Sequence, residues 1–185
     1  MKRYILDLNG VVQKHPTQQF IKFGVKEVLR FKLSPVLFIK ILKKVKQNGG
    51  KIETPEEKAL EERYYADNQH IKTPFLPGAK EKVKQLLESG PVHVCSANKH
   101  SDKSDKDYKE YLTKELGKFE EINFVYPFTS KLDFYKSVKL RFPKDKIVVI
   151  EDSPRHIDEA ESLGLETIKT DRKIGIGVFD FSKEK

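Results

Sequence analysis

Apolar residues recur along this chain in two rhythms, and the change comes near residue 76. Tyr4, Ile5 and Leu6 form a short apolar run that ends abruptly in Asp7, and Asn9-Gly10, a strong turn signal, follows at once. The pattern predicts a buried strand with a carboxylate at its carboxyl end; on this stretch alone Asp7 reads equally well as the cap of a turn. Gln13 to Pro16 reads as an exposed loop, and three helical patterns follow. The first, Thr17 to Phe31, repeats Phe20, Ile21, Val25, Val28 and Leu29 at helix spacing. The second opens with Ser34 as N-cap and Pro35 at the first helical position and stops at Asn48-Gly49-Gly50. The third opens with a capping box, Thr54 and Glu57, and runs to about Asn68. No strand signal stands between Val12 and Phe75, so residues 13–75 read as a small all-helical insertion.

Beyond Pro77 strands and helices alternate. Helices over Gly78–Glu88, Lys106–Leu116, Asp133–Arg141 and Ser153–Leu163 separate the apolar runs Val92–Cys95, Ile122–Tyr126, Lys146–Ile150 and Leu165–Ile168. Ser153 is the expected N-cap of the last helix, with Pro154 behind it. Repeated β-α-β units of this length predict an α/β fold, a parallel sheet with helices on both faces, built from residues 1–12 and 76–185. Between Asp171 and Lys185, Gly175 and Gly177 mark a loop, Val178-Phe179 suits a short edge strand, and the charged end is expected to fray.

Composition narrows this picture only a little. A single cysteine, Cys95, excludes an internal disulfide, and the opening apolar run is too short for a secretory signal core, which points to the cytoplasm. The apolar stretch from Pro35 to Val45 is broken by Lys40, Lys43 and Lys44 and is too short to span a bilayer, so no membrane role is expected. The net charge of +8 is uneven: residues 13–75 hold thirteen Lys or Arg against seven Asp or Glu, a local excess of +6. That charge suits an anionic partner, although lysines at helix spacing also serve solubility alone. A nucleic-acid module would rest on charge alone, because no recognition motif or stacking-aromatic pattern accompanies it.

Candidate chemistry sits at the strand ends. Asp7, Ser96 and Asp152 each follow an apolar strand, and the carboxyl ends of parallel strands face one crevice. Lys131, in the loop after the Ile122–Tyr126 run, adds a cation at the same edge. Two aspartates with open positions suit Mg²⁺, which is held by one or two carboxylates plus substrate phosphate. A carboxylate in such a site can attack phosphorus to give an aspartyl-phosphate. Lys131 would balance the charge of the transferring group, while the Ser96 hydroxyl and nearby backbone N–H groups would grip its oxygens.

These segments resemble the motifs of the haloacid dehalogenase (HAD) superfamily of phosphohydrolases. Asp7-Leu8-Asn9-Gly10-Val11-Val12 is similar to its first motif, Val92-His93-Val94-Cys95-Ser96 to its second, Lys131-Leu132-Asp133 to its third, and Ile147-Val148-Val149-Ile150-Glu151-Asp152-Ser153 to its fourth, with a further acid at Asp158. The resemblance covers the chain outside the insertion. It implies a Rossmann-like core, with 13–75 as a helical cap that excludes water and selects the substrate. It further implies Asp7 as nucleophile and metal ligand, Asp152 as a second Mg²⁺ ligand, Lys131 as the neutralising cation, and Ser96, Ala97 and Asn98 as the phosphate loop, in which backbone N–H groups matter more than side chains. The implied substrate is a small phosphorylated metabolite, which cap residues such as Lys22, Lys26 and Lys43 are suited to meet.

One residue departs from the pattern. The family's usual aspartate two positions after the nucleophile acts as general acid and then general base, and here it is Asn9. An amide can do neither, although its backbone carbonyl, the atom that binds metal in the family, is unaffected by the change. Four readings follow: a slower phosphatase in which water or another side chain replaces the acid, a weakened or inactive protein that binds a phosphorylated ligand or a partner, a deliberately disarmed variant, or a different leaving chemistry such as carbon–halogen cleavage. Retention of Glu151 and Asp152 disfavours the last. His15, just after the nucleophile loop, and His100 and His156, near the crevice, are candidate contacts, whereas Cys95 and His93 read as strand residues of the core.

Overall fold

The computed structural model describes residues 1–14, 17–30, 33–48, 54–66, 71, 73–99, 101–126, 129–179 and 181. They fall into two compact units, one of residues 1–14 and 74–185 and one of residues 15–73.

The first unit is built on five parallel strands: β1 (Lys2–Leu6), β2 (Val92–Ser96), β3 (Glu121–Phe124), β4 (Lys146–Glu151) and β5 (Glu166–Lys169), in the order β3-β2-β1-β4-β5. β1 lies at the centre, with Leu6 opposite Val94 on one side and Ile150 on the other. Asp7, Ser96 and Glu151-Asp152 therefore emerge at one edge. Pleating sends alternate residues to opposite faces. On one face Ile5, Cys95, Ile147 and Val149 pack with Phe134, Tyr135 and Val138 of α6 (Leu132–Arg141) and Ala160 of α7 (Pro154–Glu161). Over the other lie α4 (Ala79–Ser89) and α5 (Asp102–Leu116), which bury Val83, Leu86, Tyr108 and Leu112. Cys95 belongs to the core as expected, its thiol pushed up to about 12 chiefly by burial.

Three details differ from the sequence expectation. α5 begins at Asp102 rather than near Lys106, because the Ser101 hydroxyl accepts the Ser104 N–H at 3.3 Å and Asp102 and Asp105 favour the positive end of the helix. Ser153 precedes α7 without a side-chain capping bond; its own N–H donates to Glu151 Oε1 at 3.1 Å instead. Val178-Phe179 forms no edge strand: Gly175–Val178 is a 3₁₀ helix that buries Ile176 and leaves Val178 exposed. Gly175 makes that turn possible, since its φ is +63° and a Cβ there would strike the Val11 carbonyl oxygen. The expected fraying falls on residues 182–185, which lie outside the described residues.

The helical unit contains α1 (Thr17–Leu29), α2 (Pro35–Asn48) and α3 (Pro55–Ala66). Its core is Phe23, Leu33, Phe38, Ile41, Leu60 and Tyr64, with Phe20 and Phe23 edge-on to Tyr64. Inside it, buried Glu27 pairs with Arg63 at 2.8 Å. Of the five apolar positions expected in α1, Phe20, Ile21 and Val28 pack against this core, whereas Val25 and Leu29 face solvent. The packed stripe runs instead past Gly24, where the missing side chain leaves room for the Phe38 ring. Among the described residues no helix is long and apolar enough to cross a membrane.

Candidate active site

β1 ends at Leu6, and the Asp7 N–H donates to the Ile150 carbonyl at 3.0 Å, which holds the first site residue beside the end of β4. The chain then curls back, with the Leu8 carbonyl accepting the N–H groups of Val11, Val12 and Gln13. Gly10, at φ +78°, allows this turn. It also has to be small, because a Cβ would lie 2.5 Å from Asp152 Oδ2. The bridge between Asn9 and Gln13 uses the Leu8 carbonyl and the Gly10 N–H, so the Asn9 carbonyl takes no part in it.

Lys131 precedes α6, and its ammonium is almost wholly buried. Nζ donates to Asp7 Oδ1 at 2.7 Å and to Glu151 Oε2 at 2.6 Å, a buried cation shared by two carboxylates. The other oxygen of Glu151, Oε1, accepts the N–H groups of Asp152 and Ser153, each at 3.1 Å. Asp7, Glu151 and Asp152 bring one oxygen each to within 4.8 Å of one another. Burial, and then the neighbouring negative charge, raises the carboxyl pKa of both Asp7 and Asp152 above the ordinary value. For Asp7, Lys131 and the Ser96 hydroxyl oppose that rise. Lys131 is raised well above the usual lysine value: burial works against its charge, but Asp7 and Glu151 outweigh it.

This donor set fits a divalent cation. The ligands are hard oxygens, the pocket holds more carboxylate than cation, and an added positive charge would relieve both raised aspartates. Glu151, with both oxygens engaged, is suited to orienting Lys131 and the end of β4. Asp7 and Asp152 are the carboxylates suited to ligation.

The phosphate-loop expectation needs one change. The Asn98 N–H donates to the Ser96 carbonyl at 2.9 Å and the Lys99 N–H to the Val125 carbonyl at 3.0 Å, so these two donors hold the loop together. The Asn98 side chain is bonded at both ends. Asn9 Nδ2 donates to Asn98 Oδ1 at 3.0 Å and Asn98 Nδ2 donates to Ser96 Oγ at 3.2 Å. One amide chain thus joins the first motif to the second, with Ala97 half-buried between them.

Sequence reasoning missed two further residues. Glu159, not Asp158, supports the site: it accepts the Lys131 backbone N–H at 2.9 Å and lies 3.0 Å from Nδ1 of buried His156, while Asp158 is exposed on α7. His156 therefore faces Glu159. Arg172, in the loop after β5, pairs through Nε with Asp152 Oδ2. His15 and His100 lie outside the described residues.

No protein-family profile matches the sequence, and no curated protein matches it. Its fold has counterparts among solved structures. A haloacid dehalogenase-like hydrolase of Streptococcus pneumoniae aligns over 95% of this chain and 87% of its own, with TM-score 0.60 and 14% identity. A haloacid dehalogenase-like family hydrolase of Xanthomonas campestris aligns over 95% and 85%, with TM-score 0.58 and 16% identity. A HAD family enzyme of Bacteroides thetaiotaomicron, crystallised as an aspartate-to-alanine variant with magnesium and inorganic phosphate, aligns over 99% and 98%, with TM-score 0.54 and 17% identity. The chain has the haloacid dehalogenase-like fold.

Proposed function

We propose that this chain is a Mg²⁺-dependent phosphohydrolase that acts on a small phosphorylated metabolite, with Asp7 as nucleophile. The observation that carries this reading is the convergence of Asp7, Ser96, Lys131 and Asp152 at the carboxyl edge of the sheet, with Lys131 bonded to the Asp7 carboxylate. The magnesium and phosphate bound by the Bacteroides enzyme support the same chemistry. Mg²⁺, when bound by Asp7 and Asp152, would neutralise a phosphoryl oxygen.

In the first step a carboxylate oxygen of Asp7 attacks phosphorus. An O–P bond to the aspartate forms as the bond to the leaving oxygen breaks. Lys131 fixes the carboxyl plane through Oδ1 and balances the charge. The leaving oxygen takes its proton from water, because Asn9 has none to give. In the second step water attacks the aspartyl-phosphate, Asp7 is released, and the proton returns to solvent. The helical unit carries exposed Lys22, Lys26 and Lys43, a charge suited to an anionic substrate.

Asn9 also favours a second reading, a protein that binds a phosphorylated ligand without turning it over. Phosphate release from a panel of phosphomonoesters, with and without Mg²⁺, separates the two. Release that needs Mg²⁺ and is lost in Asp7→Ala supports the enzyme; release that survives Asp7→Ala refutes the nucleophile. Silence combined with saturable ligand binding favours the binder.

A further inference from the structure

Arg172 is the one cation among the described residues that pairs with Asp152, and its place is fixed by the fold rather than by chance contact. The Thr170 N–H donates to the Glu151 carbonyl at 2.9 Å, on the residue before Asp152. The Ile176 N–H donates to the Val11 carbonyl at 2.8 Å, within the loop that follows Asp7. Between these anchors the Asp171 carbonyl accepts the N–H groups of Ile174 and Gly175, and the Asp171 carboxylate accepts that of Lys173 at 2.7 Å. The segment is thus tied to the end of β4 and to the loop after β1, and it delivers Arg172 to the acidic trio. Gly10 makes the room: a Cβ there would lie 2.5 Å from Asp152 Oδ2 and 3.3 Å from Arg172 Cγ.

The pair is unequal. Asp152 is 5% exposed in its side chain and Arg172 60%, so the carboxylate is held while the guanidinium can swing into water. Lys131 cannot take over, since it is fully enclosed and already shared by Asp7 and Glu151. Three carboxylates then face two cations, and only the exposed one sits on Asp152, at Oδ2, beside any ion that this carboxylate would hold. Arginine keeps its charge at every working pH, so loading a divalent ion requires either its displacement or its repulsion at close range.

We propose that Arg172 is an internal competitor for the metal site: it holds Asp152 when no ion is present and yields that carboxylate when a divalent cation binds. The inference rests on the proposed metal-dependent reading of the site. Its consequence is a chain that stays folded with Asp152 paired at low Mg²⁺ and loads the ion only at higher concentration than its carboxylates alone would demand.

The test is Mn²⁺ affinity, read from the electron paramagnetic resonance signal of free Mn²⁺, for the full chain, Arg172→Gln and Arg172→Lys, with the thermal midpoint measured beside it with and without the ion. Loss of one partly screened charge at this range predicts binding about fivefold tighter in Arg172→Gln. Arg172→Lys keeps the charge and is expected to stay near the original affinity. The metal-free midpoint of Arg172→Gln is expected to fall and its rise on adding Mn²⁺ to grow, by ligand linkage. Binding by Arg172→Gln alone, with none by the original chain, would support the competition in its strongest form. Affinity within twofold of the original, or weaker, in Arg172→Gln overturns the inference and leaves the metal reading standing. If neither protein binds Mn²⁺, the metal reading falls and the inference with it.

Discussion

Asn9→Asp is the substitution that most directly probes the site, and the structure sets its scale. A positioned general acid and base contributes about 10²–10⁴-fold. Against this stands the cost of fitting a carboxylate into the amide chain. At present Asn9 Nδ2 donates to Asn98 Oδ1, and Asn98 Nδ2 to Ser96 Oγ. An aspartate at position 9 can only accept, so the Asn98 amide must turn over, offer Nδ2 to the new carboxylate, and take the Ser96 hydroxyl proton on Oδ1. Both bonds survive the exchange. What is lost is the Ser96 hydroxyl as a support of the Asp7 carboxylate, worth about 1 kcal/mol, or roughly fivefold in rate. Position 9 is half-buried, so the added carboxylate keeps part of its hydration. The expected gain in kcat is therefore roughly twentyfold to two-thousandfold.

The assay is steady-state phosphate release at saturating Mg²⁺, run on an alkyl phosphate and on an aryl phosphate with an acidic leaving group. An aryloxide leaves without help, so the gain should be smaller for the aryl ester if protonation of the leaving oxygen is what Asn9 lacks. Equal kcat for the two proteins on both esters, with unchanged Mn²⁺ affinity and thermal midpoint, would refute the idea that position 9 limits turnover.

Other perturbations test the scaffold beneath that chemistry. Lys131→Met leaves Asp7 and Glu151 buried without their cation and is expected to cost about 3–5 kcal/mol, measured by urea unfolding; a loss below about 1 kcal/mol would show that the pair tolerates separation. Gly10→Ala forces a side chain into a φ of +78° and against Asp152, for an expected cost of about 1–3 kcal/mol together with weaker Mn²⁺ binding, whereas an unchanged midpoint would mean that the loop has slack. His93 supplies a pH test. Burial, and then the charge of Arg3, holds its imidazole below the ordinary value, with Arg3 Nη1 2.9 Å from Nε2, Glu121 3.5 Å from Nδ1, and Arg141 also adding positive charge. A base whose folded pKa is depressed binds its proton more readily when unfolded. Stability is therefore full above the unfolded value of about 6.5 and falls as pH drops through it. Denaturation midpoints at pH 7.5 and 5.5 should differ less in His93→Gln, and an identical slope in both proteins would remove His93 from the account.

Much of the site was legible in the sequence because parallel strands end together: an apolar run stopping at Asp7, Ser96 or Asp152 carries its own address. What escaped depends on phase and on tertiary contact. Glu159 rather than Asp158 meets Lys131 because one residue shifts a side chain by about 100° around a helix, finer than a motif resolves. Val25 and Leu29 misled for the same reason, since the true face of α1 is set by a glycine fitting beneath Phe38. Arg172 carried no signal: it stands in a polar, glycine-bearing segment whose course is fixed by hydrogen bonds to Glu151 and Val11, and no local pattern encodes those. Asn98 was visible only as a loop residue because its backbone, not its amide, was the expected donor.

These missed contacts bear on what Asn9 means. The amide chain from Asn9 through Asn98 to Ser96 makes no contact with Lys131, and it meets the Lys131 set of Asp7, Glu151 and the Glu159-bonded backbone through the Ser96 hydroxyl at Asp7. The groups proposed for attack, charge balance and metal ligation are thus held mainly by the Lys131 bonds, and the position that would move protons by the amide chain, with the Ser96 hydroxyl on Asp7 as the point where the two meet. An aspartate exchanged for asparagine at position 9 leaves the Lys131 bonds to Asp7 and Glu151 whole, because the side chain keeps its shape and still bonds Asn98; what changes at Asp7 is the Ser96 hydroxyl alone. The same separation makes binding and turnover independently measurable in this protein. Phosphate affinity should be nearly equal with Asn or Asp at position 9, while kcat changes by orders of magnitude. An affinity that rose and fell with kcat would show that the two networks act as one.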